Sequence, residues 1–386
     1  MKDGIINIYK PKGVTSNDVI YMLRNILRIK KLGHTGTLDP LATGVLPILI
    51  NRGTRVASYM DVDFKKYTST LILGVSTDTE DVTGNVTEST NERIDVSVNK
   101  IKEGLKNFSG LIDQIPPMYS AVRINGRKLY SYMHDAPAEE IKAVTKKIKP
   151  RQVYIKDISL IDSGYIKKED IPYELNTLLN EEVFFITFSV ECSKGTYIRS
   201  ICRDLAGYLG VPGTMLSLER TASGLFSKED SINIEELKEI ALKEGLAYIR
   251  EDGKFRGLGE VSEEIPEILE KYILPLDYPL ELFGKVKVNA EMRQKFIDGW
   301  HLEFNEISVV SKPYYEMPVG KEELRDANPT SESNHHGSYP GLKVKPEYMG
   351  AYRVYDENDE FLGVAIYSDL YHKLVCDKVL VRNDNI

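Results

Sequence analysis

An α+β protein, with a mixed sheet flanked by helices and a smaller β-rich region behind it, is predicted by three features of the sequence. KKYTSTLILGV (65–75) and VFFITFSVEC (183–192) are dense in β-branched and aromatic residues, as half-buried strands are. TSNDVIYMLRNILRIKKLG (15–33) carries Val19, Leu23, Ile26 and Leu27 at helical spacing. LPLDYPLE (274–281) has the prolines of a boundary, and strand-like sequence resumes after it in KVKVNAEMRQKFIDGW and AYRVYDENDEFLGVAIYS. A chain of 386 residues is long for one core and suggests two or three domains.

Taken in order, GIINIYKPKG (4–13) reads as a short strand ending in a Pro-Gly turn. The helix after it has Ser16 or Asn17 as N-cap and Gly33 as the residue that ends it. Arg24, Arg28 and Lys31 fall on its other face, either as a solvated stripe or as phosphate contacts. VLPILI (45–50) is a buried strand, and 97–109 and 200–209 are helical. IPPMYSAVRINGRKLYSYMHDAP (115–137) shows no strong element but is basic and aromatic, a character that KKIKPR (146–151) continues. EELKEIALKEGLAYI (235–249) predicts an acidic amphipathic helix, and DEND (356–359) a turn. The polar stretch 311–341 reads as a mobile insertion. His335-His336 within it has no Cys, Asp or Glu at ligand spacing and reads as solvated loop.

Composition narrows the function. No apolar run is long enough to span a bilayer, and the start lacks a signal-peptide core. Cys192, Cys202 and Cys376 form neither a metal-ligand pattern nor an even disulfide set, which suits idle thiols in the cytoplasm. The net charge of −8 argues against a nucleic-acid partner, but its distribution does not. Residues 1–60 carry nine Lys/Arg against three acids, whereas 229–271 carry thirteen acids against six bases. Phosphate contacts depend on local sign, so a basic working face remains open.

The stretch GHTGTLDPLATG (33–44) holds one carboxylate, Asp39, among glycines, threonines and a proline. It is no P-loop, since no Gly-Lys-Ser/Thr ends it, and the chain has no GxGxxG after a strand, no HExxH and no GxSxG. TDTEDVTG (77–84) misses the acid and glycine positions of a calcium loop. By residue type alone, a loop aspartate is most often a turn-former, and the reading stops at a nucleic-acid enzyme as one option.

The wording goes further. GHTGTLDPLATGVLPI resembles, nearly letter for letter, the catalytic motif of the TruB family of tRNA pseudouridine synthases. NIYKPKGVTSND, KKYTSTLILGVSTDTEDVTG, IPPMYSAVRINGRKLY and ECSKGTYIRSICRDLAGYLG follow in the family's order. The resemblance covers 4–226 strongly and the tail loosely. It implies a pseudouridine synthase fold over 1–275, with an RNA-gripping thumb at about 117–145, and a PUA-like RNA-binding domain over 283–386. It implies isomerisation of the uridine at tRNA position 55, in the T-loop, without cofactor, metal or guide RNA. A monomer is the default reading of the oligomeric state.

The resemblance also assigns residues. Asp39 is the essential carboxylate, which acts on the sugar only when ionised. Burial alone would raise its pKa, and Arg199 is the matching cation that keeps it charged. Tyr67 stacks on the target base and handles a proton. Tyr197 lines the same pocket, and the pair Tyr197/Arg199 would share one face if they lay on a strand. His34 helps hold the flipped-out nucleotides. Lys10, Lys12 and Arg55 meet phosphates, and Leu218 packs beside the uracil. Two rivals are a non-catalytic tRNA-binding protein and a guide-dependent pseudouridylase on the same fold.

Overall fold

The computed structural model describes residues 3–62, 64–171, 175, 178–258, 265–313, 348–368 and 370–381. His335, His336 and nearly all of 311–341 lie outside the described residues. The chain divides into two compact units, one of 1–39, 45–63 and 223–386, the other of 40–44 and 64–222. The chain crosses from the first to the second at the Asp39–Pro40 peptide and returns after Gly44.

In the first unit, strand Gly4–Lys10 runs parallel to Ile232–Asn233 and neighbours the Thr43–Ile50 strand, on which Leu32–His34 lies antiparallel. Ile5, Val45, Leu49, Met60 and Phe226 form the core here. The first helix is Ser16–Leu27, and its N-cap is Thr15 rather than Ser16 or Asn17. Thr15 and Asp18 cap each other's backbone reciprocally, which satisfies two backbone donors at the helix start. The helix ends six residues before Gly33, because Arg28 itself takes the left-handed conformation at φ 58°. The basic stripe therefore does not form: Arg24 Nε donates to the Lys30 carbonyl, Arg28 bends towards Gly257 O, and Lys31 lies beyond the helix.

Also in this unit is a six-stranded sheet ordered Leu302–Glu303, Lys373–Val379, Phe361–Ser368, Ala351–Asp356, Gly284–Val288, Ser308–Ser311. Helix Ala290–Ile297 covers it through Met292 and Phe296, against Val286, Val354, Leu362 and Leu374. A second cluster joins it to the 3-10 helix Asn51–Val62: Val56 and Tyr59 pack with Leu276, Leu280, Phe283, Ala351, Val364 and Leu380. This β-rich part thus shares apolar burial with residues near the N-terminus, which stabilises both. The acidic helix forms as Ile234–Lys243.

The second unit is built on strands in the order Gly213–Ser223, Lys65–Leu73, Glu182–Cys192, Arg151–Lys167, Gly110–Gln114. From Lys65–Leu73 onward the pairs are antiparallel. The start of the Thr43–Ile50 strand pairs parallel with Gly213–Ser223, Thr43 opposite Glu219 and Gly44 opposite Arg220. Helices Val98–Lys106 and Ile198–Leu209 pack together. The stretch 115–137 is more ordered than its sequence suggests. Arg123–Ile124 and Arg127–Lys128 form a hairpin about Asn125 and Gly126, both at positive φ, and helices Leu129–Asp135 and Ala138–Thr145 follow. Leu129, Tyr132 and Val144 give it a small core of its own.

Candidate active site

In the first unit the candidate carboxylate sits at the end of a loop tied down on several sides. His34 closes the short strand opposite Ile48, and the Thr35 amide donates to Pro47 O at 3.2 Å. Gly36 supplies a left-handed turn at φ 78°. Leu38, buried at 3% exposure, donates its amide to Ser16 Oγ at 2.9 Å, and the same hydroxyl donates to Leu38 O at 3.2 Å. Asp39 follows, half-buried. The loop therefore ends in a half-buried carboxylate whose neighbouring backbone is anchored.

The other candidates in this unit differ in exposure. Lys12 is exposed. Arg55 is exposed and donates to Val379 O at 2.9 Å. Lys10, expected at a phosphate, is wholly buried, its ammonium donating to Pro11 O at 2.9 Å and Val14 O at 2.7 Å. It spends its charge holding the KPKGV turn closed, an inward placement that the lysine's identity does not reveal.

In the second unit Tyr67 lies on strand Lys65–Leu73, opposite Val190 and 8% exposed. Leu218, also 8% exposed, lies on Gly213–Ser223. Tyr197 and Arg199 are not on a strand. Tyr197 is the N-cap of helix Ile198–Leu209, and Arg199 is the second residue inside it. The shared-face argument therefore fails, and the backbone is placed otherwise: Gln114 Oε1 accepts from the Tyr197 amide at 2.7 Å and Gln114 Nε2 donates to its carbonyl at 2.9 Å.

Arg199 is 6% exposed, with NH1 donating to Thr79 O at 2.9 Å and NH2 to Tyr119 O at 3.0 Å. Asp81 Oδ2 lies 3.9 Å from NH1. Two carbonyls at two nitrogens fix the plane of the guanidinium, and Asp81 offsets part of its charge. Asp81 is itself held by Thr79 Oγ1, Thr83 N and Thr83 Oγ1. The next layer is Glu80, which accepts from Ser200 Oγ at 3.1 Å and forms an ion pair with Arg203. Burial pushes its carboxyl above the ordinary glutamate range, against the lowering pull of Arg203, Ser200 and Arg199.

Sequence reasoning missed Ser16, Gln114, Glu80 and Asp81. Ser16, Glu80 and Asp81 lie inside stretches that carry the family resemblance, so position in a motif was their signal. Gln114 has none that pattern or spacing conveys. No cluster of His, Cys, Asp and Glu able to hold a metal occurs among the described residues, and no helix among them is long and apolar enough to cross a membrane.

The chain is similar to known proteins in both fold and sequence. Among solved structures, one titled as a Cbf5-Nop10-Gar1 complex matches with a TM-score of 0.59 at 22% identity, covering 99% of this chain and 86% of that one. An H/ACA RNP bound to a substrate RNA containing 2'-deoxyuridine matches at a TM-score of 0.58, also at 22% identity, with the same coverage. At that identity the likeness shows the fold. The tRNA pseudouridine synthase B of Clostridium novyi is 43% identical over 94% of this chain and 95% of its own length. That of Clostridium kluyveri is 33% identical over 97% and 98%, and that of Staphylococcus aureus (strain JH9) 35% over 79% and 87%. Residues 24–198 match the N-terminal domain of the TruB family pseudouridylate synthases, and 199–281 match the tRNA pseudouridylate synthase B C-terminal domain. The chain belongs to the TruB family of pseudouridylate synthases.

Proposed function

We propose that this chain isomerises the uridine at tRNA position 55, in the T-loop, to pseudouridine, with Asp39 as the reacting carboxylate and no cofactor. The observation that carries the reading is GHTGTLDPLATG, with its single carboxylate, in a member of this family. In this reading the glycosidic bond breaks, the uracil turns, and C5 joins the sugar C1′. Asp39 acts on the sugar in its ionised form, and Arg199 keeps it so. The two carbonyls that hold Arg199 support that role by orienting the fork. Tyr67 stacks on the base, worth about 1–3 kcal/mol. Tyr197 and Leu218 line the base pocket, and His34 holds the extruded loop nucleotides. Lys12 and Arg55 take phosphates, while Lys10, with its ammonium turned inward, leaves that set.

The wider assignment belongs to the same proposal: a catalytic domain over 1–275 with its thumb at 117–145, a PUA-like RNA-binding domain over 283–386, a monomer in the cytoplasm, and tRNA as partner without a guide RNA. The experiment is to incubate the purified protein alone with unmodified T-arm RNA and measure pseudouridine. Product from wild type is expected, with none from Asp39→Asn at an affinity within about tenfold, roughly 1.4 kcal/mol. Product only with an added guide RNA would favour the guide-dependent reading. Tight binding without product from wild type would favour the non-catalytic one.

A further inference from the structure

We infer that Ser16 is a positioning residue for Asp39, acting through the backbone of Leu38. The inference rests on the reading of Asp39 as the reacting carboxylate. The Leu38 amide donates to Ser16 Oγ at 2.9 Å, and Ser16 Oγ donates to Leu38 O at 3.2 Å. A hydroxyl has one proton to give and two lone pairs, so one side chain satisfies both polar groups of one residue. Ser16 is 2% exposed and Leu38 3% exposed, so water does not replace either bond. The clip behaves like a strand partner for the single residue that precedes the carboxylate.

The anchor is itself rigid. Ser16 is the first residue of helix Ser16–Leu27, directly behind the reciprocal Thr15–Asp18 cap. The Thr15 amide donates to Asp18 Oδ2 at 2.8 Å and the Asp18 amide to Thr15 Oγ1 at 3.1 Å. The apolar face of the helix is buried through Val19, Ile20 and Leu23. Hence the hydroxyl that grips Leu38 is referenced to the core, and the Cα of Asp39 starts from a fixed origin. A reacting group displaced by about 1 Å loses on the order of 10²-fold in rate, so such a clip acts on the chemical step rather than on RNA affinity.

The test uses the full chain in single-turnover reactions at saturating unmodified T-arm RNA, beside RNA affinity and thermal midpoint. Ser16→Ala removes both bonds yet suits the helix start, and is expected to slow the reaction by about 10- to 100-fold with Kd within about threefold. Ser16→Thr, which keeps a hydroxyl, is expected to recover a rate within about fivefold of wild type. A role confined to stability would lower the midpoint and the active fraction but leave the rate of the folded, RNA-bound protein unchanged. A Ser16→Ala rate within twofold of wild type overturns the inference, as do equally slow Ala and Thr variants. Asp39→Asn in the same assay separates the two readings. If it is inert while Ser16→Ala is normal, only the Ser16 inference fails; if it still forms product, the assignment of Asp39 fails and takes the inference with it.

Discussion

Asp39 and Arg199 lie in different compact units, and the loop before the one and the side chain of the other are held by different contacts. The loop before Asp39 is fixed by neutral contacts: a hydroxyl on Leu38, an amide on Pro47 O, and a left-handed glycine. Arg199 is fixed in a buried charged network, by two carbonyls with Asp81 beside it and the Glu80–Arg203 pair behind. Neutral contacts do not titrate between pH 4 and 9, whereas a network containing a buried carboxylate does. The two halves should therefore respond differently to geometry and to pH.

The largest effect is expected from Arg199→Lys. An ammonium keeps the charge but has no planar fork to span Thr79 O and Tyr119 O together. Losing one charge-assisted hydrogen bond costs about 1.5–3 kcal/mol, which in single-turnover rate is roughly 10- to 150-fold. A Lys variant at wild-type rate would show that the fork has no role in the reaction.

Two glycines of the second unit give the next effect, this time in stability. Gly44 has φ 107°, and a Cβ there would meet Arg220 O at 2.2 Å, within the parallel pairing of these strands. Gly44→Ala is expected to lose about 2–5 kcal/mol, strain and overlap together, in urea unfolding. Gly126, at φ 80° with nothing near its Cβ position, isolates strain alone, so Gly126→Ala should lose only about 1–2 kcal/mol. Equal losses would mean that the contact with Arg220 is relieved at no cost. Gln114→Ala should fall between the two, at about 1–3 kcal/mol, by leaving the Tyr197 amide and carbonyl without their partner.

How legible each half was in the sequence follows from the same difference. The Asp39 loop is contiguous, and its glycines and proline announce it; the strands Lys65–Leu73 and Glu182–Cys192 are long enough to show by composition. The helix start was misplaced by one or two residues because Thr15, Ser16 and Asn17 all suit a cap, and only the reciprocal bond from Asp18 decides among them. Its end was misplaced because Arg28 is a good helix former in a left-handed position. The segment after Pro117 hid a hairpin with two-residue strands and a seven-residue helix, too short for any period to register. The Arg199 network is the least legible part. Its partners Thr79 and Tyr119 are 120 and 80 residues away, and nothing local encodes which carbonyl an arginine will meet.

The smallest effect probes the titrating half directly, through Glu80. Burial raises its carboxyl pKa above the ordinary value of 4.5, and Arg203, Ser200 and Arg199 only partly oppose that. A folded state that binds the proton more tightly than the unfolded one gains stability as pH falls through the folded pKa. The gain is complete below the unfolded value and is lost as pH rises. Glu80→Gln keeps the shape, can still accept from Ser200, and does not titrate. Wild type should therefore lose stability relative to the Gln variant as pH rises from about 4.5 through the raised folded value. The readout is the slope of the difference between the two stability curves, because the Gln variant also loses its ion pair with Arg203 and so differs in absolute stability. Parallel curves would mean that Arg203 cancels the burial of Glu80. A difference of the opposite slope would mean that the ion pair outweighs burial and holds Glu80 below its ordinary value. In the Ser16→Ala background the slope should be unchanged, since the hydroxyl clip carries no titrating group. A slope that depends on Ser16 would instead show that the neutral and charged halves are energetically coupled.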